Sequence, residues 1–336
     1  MSVLPNPNGL RFDPTRQRDH VESYFLKAND PSKSRALWIK ATVFSRAARD
    51  PLAEGWAIAF DRTSGKAHHV AVKHMLPFDG SFFKNDRLDV HWNRDKSESV
   101  HLVPTETRGN VQSEGHAISW NLALEGELAP VVPFPFASMY EGAFPRSKLV
   151  TPYPLLLASG EVFVDGERWD ISNWVGMQGH NWGRGHADLY AWSQINVWEQ
   201  KEDLTFEGLS GKVRLGPIMT PLVTILCVRH RGVVYDFNQP ASVWAARGEV
   251  GMNKWSFAAK MRFATIEGEV ETNADDMVGL SYQNPRGPVT FCLNSKLARA
   301  RVRFEARGRA PLLLTSNAAA LEIGTHDKTH GVRMYT

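Results

Sequence analysis

The stretch that decides the fold is WVGMQGHNWGRGHADLYAWSQINVW, which runs from Trp174 to Trp198. Its second half alternates, as a strand does when its two faces meet different surroundings. The odd positions carry small, mostly aliphatic side chains. A face that combines aromatic rings with amides suits the wall of a ligand cavity. We therefore predict that the even positions bind a hydrophobic ligand: Tyr190, Trp192, Gln194, Asn196 and Trp198.

The remainder of the chain predicts β structure almost throughout. Short runs rich in β-branched and aromatic residues, such as ALWIKATVF at 36–44, lie between clusters of Gly, Pro, Asp or Asn. Asp165-Gly166 indicates a type I′ hairpin, and His230-Arg231-Gly232 indicates a second hairpin. Amphipathic helices are not evident. Many short strands at this spacing favour a barrel or a sandwich over a parallel α/β sheet.

The segment from Pro130 to Pro154 is rich in proline, which predicts that it is not a central strand. It is either a linker or a loop that closes over a barrel mouth. Its large apolar residues favour the packed covering loop, and they are Phe134, Phe136, Met139, Tyr140 and Phe144.

Composition excludes several classes of function. A net charge of +3 without a basic stripe argues against a nucleic-acid partner. Cys227 and Cys292 lie in apolar runs and are expected to be reduced thiols. The N-terminal residues lack the apolar block of a signal peptide, and no run approaches the ~20 apolar residues of a membrane helix. We predict a cytoplasmic protein that contacts a membrane surface only transiently, to take up a greasy substrate. The oligomeric state stays open.

Three motifs resemble the tocopherol cyclases and, more loosely, the bacterial carotenoid hydratases and AttH-like proteins. They are Asp165-Gly166-Glu167, Asn181-Trp182-Gly183 and the YAWSQIN of Tyr190–Asn196, and SNAAALEIG at Ser316–Gly324 resembles the closing strand of that group. The resemblance implies an all-β fold of two lipocalin-like (calycin-type) antiparallel β-barrels or half-barrels packed together. We place the two β domains at 1–175 and 176–336.

The resemblance also implies a chemistry. Characterised members of this group protonate an isolated alkene of an isoprenoid chain, and water or a phenol oxygen then captures the cation, without a redox cofactor. Tocopherol cyclases tend to carry an acidic residue and a lysine just before the NWG motif. Gly179 and His180 stand there in this chain, so the proton donor does not transfer.

Three residues are candidates for the proton-handling group. An alkene-protonating acid must stay neutral until it reacts, which apolar burial favours, and aromatic faces stabilise the cation. Asp188 shares the strand face of Trp192, Glu141 lies in the proline-rich segment, and His180 precedes the NWG motif. The structural alternatives are that Asp188 caps a turn or pairs with Arg184, and that Glu141 is solvated.

The glycine-rich loop supplies four further candidates for ligand contact: Asn181, Trp182, Arg184 and His186. Structural roles compete with this interpretation, because asparagine tolerates turns and a large ring plugs a barrel end. The two amides at Gln194 and Asn196 satisfy either a ligand or buried backbone groups. The spacing of His180, His186 and Asp188 does not fit established zinc signatures, so we predict no metal.

Two main hypotheses follow. The first is a hydratase, cyclase or isomerase acting on a lipophilic, isoprenoid-like small molecule. The second is a non-catalytic carrier or sensor of such a molecule, and a protein with a filled barrel is a third possibility. A carboxyl group that points into the cavity separates the first hypothesis from the second.

Overall fold

The computed structural model describes residues 4, 6–16, 18–93, 96–212, 214–215 and 218–336. Nearly all of its regular structure is antiparallel β-sheet, which confirms the predicted fold class. The described helices are short, namely α1 (Ser138–Glu141), α2 (Pro240–Ala245) and 3-10 turns at Phe78–Gly80 and Ala274–Asp276. None of them is long and apolar enough to cross a membrane.

The first sheet contains eleven strands. They are β1 (His20–Asn29), β2 (Arg35–Ser45), β3 (Leu52–Asp61), β4 (Val70–Pro77), β5 (Phe82–Phe83), β6 (Val90–Trp92), β7 (Ser99–Val103), β8 (Glu106–Ser113), β9 (His116–Gly126), β10 (Ser147–Val164) and β11 (Glu167–Gly183). Their order is β4-β3-β2-β1-β11-β10-β9-β8-β7-β6-β5. The sheet curls around a core of its own, because β4 also contacts β8 and β9.

The second sheet contains ten strands, and a two-stranded ribbon accompanies it. The strands in chain order are β12 (Leu189–Ile195), β13 (Leu204–Lys212), β14 (Arg214–Leu215), β15 (Ile218–Met219), β16 (Val223–His230), β17 (Val233–Phe237), β18 (Arg247–Val250), β19 (Lys254–Met261), β20 (Ala264–Glu271), β21 (Val278–Tyr282), β22 (Thr290–Ala306) and β23 (Leu312–Thr325). The sheet order is β17-β16-β13-β12-β23-β22-β20-β19-β18, β21 also pairs with β22, and β14 and β15 form the ribbon.

The two sheets pack against each other through their central strands. Every residue of β1 is buried, because one face of the strand covers the core of the first sheet and the other faces the second sheet. Phe25 and Trp38 on the first sheet thus share an apolar cluster with Trp192 and Leu280 on the second. Because both faces of β1 are covered, its polar side chains are also sealed from water.

The proline-rich segment corrects one prediction. Pro152 and Pro154 lie inside β10, a central strand of the first sheet. The β10–β11 register shifts between Val150 and Tyr153 and again before Leu156. These irregularities accommodate residues that lack an N–H, and they leave carbonyl groups available to other partners. Only the earlier part of the segment is a loop.

Local predictions of turns and cysteine state are confirmed. Asp165 and Gly166 join β10 to β11 with positive φ angles of 49° and 86°, as a type I′ turn requires. Arg231-Gly232 joins β16 to β17 in the same way. Cys227 and Cys292 are buried free thiols.

The change from one sheet to the other occurs in residues 184–188. The predicted boundary between residues 175 and 176 falls inside β11, so the first sheet extends further along the chain than we expected. Gly183 closes β11 with φ of 159°, and a Cβ there would lie 2.0 Å from the carbonyl oxygen of Arg146. A side chain at this position would therefore push the covering loop away from the end of the strand.

Candidate functional site

A cavity of about 210 Å³ lies between the two sheets. Its wall is mostly apolar and includes several aromatic rings, with Phe25 and Trp38 on the first sheet and Tyr190, Trp192 and Tyr282 on the second. The polar groups that reach it include Lys40, Lys148, Asn181, His186 and Glu322. An apolar wall with a few convergent polar groups is typical of small-molecule sites. The space is smaller than the roughly 300 Å³ at which such sites usually begin, so a long ligand extends into the open mouth.

Strand register explains why these side chains meet. On β12 and β23, Trp192 lies opposite Glu322, and Tyr190 lies opposite Gly324. Directly paired residues project from the same face of a sheet, so Glu322 emerges beside the Trp192 ring. A Cβ at Gly324 would lie 1.8 Å from the Tyr190 ring. The glycine therefore lets that ring lie across β23.

Glu322 is the carboxyl group of the cavity wall. Its side chain is 13% exposed, and its Oε1 lies 2.8 Å from Nζ of Lys296. The Lys296 ammonium is fully buried and also donates to the side-chain oxygen of Asn294. The Cys292 thiol lies 3.6 Å from Oε2 of Glu322. The carboxylate is thus held by a buried ammonium and still borders the cavity.

His186 is the titratable ring of the connecting loop. Its backbone N–H and its Nδ1 lie 2.8 and 3.2 Å from Oδ1 of Asn284. The Asn284 amide nitrogen donates to Pro288 and Thr290, which fixes its oxygen towards His186. Burial and the nearby Lys40 charge lower the pKa of His186 to about 3. The ring is therefore neutral, with Nδ1–H donating to Asn284 and Nε2 carrying the lone pair.

Glu207 lies behind the cavity wall. Its Oε1 accepts hydrogen bonds from Nε1 of Trp192 at 3.0 Å and from the Thr151 hydroxyl at 2.8 Å. Among the described residues its Oε2 has no hydrogen-bond partner. Burial raises the pKa of Glu207 to about 7, although these two hydrogen bonds oppose the shift. It orients the Trp192 ring rather than the ligand.

The far end of the β12 face serves the contact between sheets. The side-chain nitrogens of Gln194 and Asn196 both donate to the carbonyl oxygen of Pro154, and Asn196 also donates to Gly176. These amides do not line the cavity. The amide nitrogens thus satisfy backbone carbonyl oxygens of β10 and β11, which is the structural alternative to ligand contact. Trp198 lies beyond the strand, in the core of the second sheet, where its Nε1 donates to Leu204.

His180 belongs to a buried polar cluster outside the cavity. Its Nε2 lies 2.8 Å from Glu22, and its Nδ1 lies 2.7 Å from the carbonyl oxygen of Pro7. The ring stacks on Tyr24 at 4.2 Å between centroids. It sits on the opposite face of β11 from Asn181, which lines the cavity. In the structure a partner occupies each ring nitrogen of His180, so it does not reach a ligand bound between the sheets.

The other predicted residues also lie outside the cavity wall. Glu141 is exposed at the end of α1, and Arg184 is exposed in the connecting loop. The Asp188 carboxylate lies 4.0 Å from Nδ1 of His326. Trp182 packs with Tyr140 in a cluster under the covering loop and carries Arg11 over its ring. The predicted Asp188–Trp192 pair on one wall is therefore replaced by the Glu322–Trp192 pair.

The covering loop forms one side of the mouth. Phe134, Met139 and Phe144 line the cavity from this loop, and Val223 lines it from β16. Phe144 and Val223 are 48% and 39% exposed. The rim is thus apolar and open to solvent, which gives a lipophilic molecule a path to the interior.

A group of possible metal ligands lies elsewhere, on β6 and β7. His91 pairs with His101 across the two strands, and Asp89 lies 3.0 Å from His91. However, Lys84 and Arg87 also contact the Asp89 carboxylate. An ion-pair network accounts for this cluster, and its residues are not among those that line the cavity.

Sequence reasoning missed Lys40, Glu207 and Glu322, and all three share a signal. Each is a lone charged residue in an otherwise apolar strand, within WIKAT, LTFEGL or AAALEIG. Charged side chains are rarely buried unless they are paired or functional.

A family model described as tocopherol cyclase-like matches residues 65–325. The chain belongs to the tocopherol cyclase-like family. A chloroplast protein of Oryza sativa subsp. japonica, described as a probable tocopherol cyclase, is 25% identical over 50% of this chain and 37% of its own length. An uncharacterized protein of Mycobacterium tuberculosis is 22% identical over 91% of this chain and 90% of its own length. The family assignment confirms the resemblance inferred from the three motifs.

Solved structures agree with the fold. An AttH protein from Nitrosomonas europaea has a TM-score of 0.54 at 14% identity and covers 99% of this chain and 100% of its own. Kievitone hydratase from Nectria haematococca has a TM-score of 0.54 at 8% identity and covers 91% and 89%. At such identities the likeness supports the paired lipocalin-like architecture and not a shared activity.

Proposed function

We propose that the cavity between the sheets binds a lipophilic, isoprenoid-like molecule and that the protein catalyses its cyclisation, hydration or isomerisation by proton transfer. No redox cofactor is needed for this chemistry. The observation that carries the proposal is the position of Glu322, a carboxyl group directly opposite Trp192 on the wall of an aromatic cavity. A relative that is described as a probable tocopherol cyclase supports the same reaction class.

The Glu322–Lys296 pair supplies the proton. A ligand that fills the cavity displaces water, and desolvation favours the neutral form of an ion pair. In that form Lys296 has transferred a proton to Glu322, which becomes a carboxylic acid facing the ligand. The acid protonates an alkene carbon, and the faces of Trp192 and Trp38 stabilise the tertiary cation that forms.

His186 completes the proton balance. Its neutral Nε2 accepts the proton that a phenol or a water molecule loses when its oxygen attacks the cation. Attack by a phenol of the same molecule gives a ring, and attack by water gives an alcohol. One proton enters the substrate from Glu322 and one leaves it to His186. Exchange with water then removes the proton from His186 and restores the proton of the Glu322–Lys296 pair, so the net reaction needs no other reactant than substrate and, for hydration, water.

A membrane surface is the proposed source of the ligand. The exposed rim residues Phe144 and Val223 provide apolar contact at the mouth. Exposed apolar side chains at a cavity entrance suit brief insertion into a lipid interface. Sedimentation with phosphatidylcholine vesicles that contain a prenylated quinol should show weak binding that is lost when Phe144 is changed to Ser.

Farnesyl hydroquinone tests the catalytic proposal, because its cyclisation gives a chromanol of unchanged mass. We expect the purified protein to form this product, and Glu322→Gln to lower the rate at least about a hundredfold, as loss of a general acid does. Binding, followed by quenching of tryptophan fluorescence, should persist in the variant. Glu267→Gln, an exposed substitution in the second sheet, is the matched control and should behave as wild type.

The outcomes separate the hypotheses. Neither Asp188 nor Glu141 lines the cavity, which favours the carrier, whereas Glu322 does line it, which favours the enzyme. Binding without any turnover by the wild-type protein would decide for the carrier. Full turnover by Glu322→Gln would contradict the role of Glu322. Absence of both binding and turnover would refute the proposed function.

A further inference from the structure

Lys40 is a buried amine that the proton-transfer scheme does not use. It lies in the middle of β2 and is 3% exposed, yet it lines the cavity. Its Nζ lies 3.9 Å from the ring centroid of Tyr282 and 5.2 and 5.5 Å from those of Trp56 and Trp38. In the described part of the chain, Nζ has neither a hydrogen bond nor an ion pair.

The other buried lysines all have polar partners. Lys27 donates to Asn29 and Asn196, Lys148 donates to the carbonyl oxygen of Pro145 at 2.6 Å, and Lys296 pairs with Glu322. Burial of a polar group without a partner costs free energy. The remaining buried lysines avoid this cost. The missing hydrogen-bond partner of Lys40 therefore points to a ligand group that enters the cavity.

The surroundings of Lys40 raise the fraction of uncharged amine above that of an exposed lysine. Burial lowers the pKa of Lys40 to about 8, against the opposing charges of Glu54 and Glu322. The Glu54 carboxylate is itself paired with Lys73 at 3.1 Å. An amine in an apolar site, with a substantial neutral fraction near neutral pH, is a nucleophile towards carbonyl carbon.

We propose that Lys40 forms a reversible imine with an apolar aldehyde or ketone bound in the cavity. The inference rests on the proposed function in one respect, since it takes the same cavity as the ligand site. The amine nitrogen bonds to the carbonyl carbon, and the carbonyl oxygen becomes a hydroxyl. The C–O bond then breaks, and the oxygen leaves as water with both amine hydrogens. Hydrolysis reverses the step, and no oxidant or reductant takes part.

The cavity suits the charged form of this adduct. A protonated imine at Lys40 would lie against the face of Tyr282, with Trp56 and Trp38 nearby, where aromatic rings attract positive charge. Neutral His186 lines the same space and accepts or returns the proton of the hydroxyl intermediate. A conjugated aldehyde held in this way loses electron density along its chain, which promotes addition to its double bond.

Geranial and geraniol form a matched pair of probes. They share one isoprenoid chain, but geranial ends in an aldehyde and geraniol ends in an alcohol. The full-length protein is incubated with stoichiometric geranial and cyanoborohydride at pH 7.5, and the modified lysine is located by peptide mass spectrometry. We expect the reduced adduct on Lys40 at least about tenfold more often than on any exposed lysine, given the larger neutral fraction of Lys40. Excess geraniol should protect Lys40 without protecting surface lysines.

Two variants keep the test specific. Lys40→Arg retains a cation but not a nucleophilic amine, so it should lose the adduct while geraniol still quenches tryptophan fluorescence. Lys260→Arg, an exposed substitution outside the cavity, should retain the adduct on Lys40. Labelling spread evenly over the lysines, or absent from Lys40, overturns the inference. Quenching by geraniol is then decisive for the proposed function: if it persists, only the imine fails, and if it is absent, binding in the cavity fails as well.

Discussion

Two glutamates, each buried in a different region, behave in opposite ways. Glu22 lies in the polar cluster of the first sheet, and Glu207 lies at the contact between sheets. Burial alone would raise the pKa of both. Glu22 accepts from the backbone of Arg11 and Phe12 and from His20, Tyr24 and His180, and its pKa falls to about 2. Glu207 accepts two hydrogen bonds, and its pKa rises to about 7.

The difference indicates that one region stabilises the fold and that the other region holds groups able to exchange protons. Many donors around a carboxylate fix its charge and lock the N-terminal segment onto the sheet. Few donors leave a carboxyl group near its titration point, in the region where the cavity lies. Substituting the two regions in parallel therefore tests whether stability resides in one and ligand chemistry in the other.

The largest effect should come from Glu22→Gln. The amide introduces a donor where five donors converge, so we expect a loss of about 4 kcal/mol in the free energy of unfolding. Glu207→Gln is the matched control, because the Gln oxygen still accepts from Trp192 and Thr151, and it should cost less than about 1 kcal/mol at pH 5. Urea denaturation of both variants measures the contrast, and equal losses would contradict it.

The next effect is a pH dependence that belongs to Glu207. The unfolded chain releases this proton near pH 4.5, whereas the folded protein holds it to about pH 7. Folded protein thus binds more protons in this window, and stability falls as pH rises from about 4.5 to 7. Glu207→Gln removes this contribution. The variant should gain up to about 3 kcal/mol relative to wild type across the window, and parallel pH profiles would refute the shift.

Asn196→Ala probes the contact between sheets at a smaller scale. The change removes bonds to Pro154, Gly176 and Lys27, and we expect thermal or urea denaturation to show a loss of about 2 kcal/mol. The exposed Asn121→Ala is the control and should stay within about 0.5 kcal/mol of wild type. If Asn196→Ala is equally silent, the amide does not join the sheets.

The smallest stability effect is expected at His186. Because His186→Gln leaves the packed cores intact, we expect less than about 1 kcal/mol in the free energy of unfolding. Turnover of farnesyl hydroquinone should nevertheless fall about a hundredfold, since the proton acceptor is lost. His180→Gln should show the reverse pattern, with a stability loss and normal ligand affinity. A variant of His186 that is fully active would remove the base from the scheme.

Local patterns predicted the architecture well, because they depend on near neighbours in the chain. Alternation placed Tyr190 and Trp192 on one face, and the Asp165-Gly166 turn fixed a hairpin. Local patterns did not predict the irregular strand around Pro152 and Pro154. A strand tolerates proline there because of how β11 pairs with it, which the local sequence does not show.

The site itself depended on long-range register. Glu322 reaches Trp192 only because β23 pairs with β12, and nothing near Trp192 in the sequence encodes that pairing. The prediction that His180 handles a proton in the cavity depended on the same kind of long-range information. Its motif lies beside the cavity strand in sequence, but alternation along β11 turns the ring to the other face, towards Glu22.

A crystal structure of the protein grown with farnesyl hydroquinone tests the central claim most directly. The account predicts ligand density between the sheets, with the isoprenoid chain against Trp38 and Trp192 and with Glu322 within contact distance of it. Density confined to the core of one sheet or to the outer surface, with the inter-sheet cavity empty at saturating ligand, would contradict it.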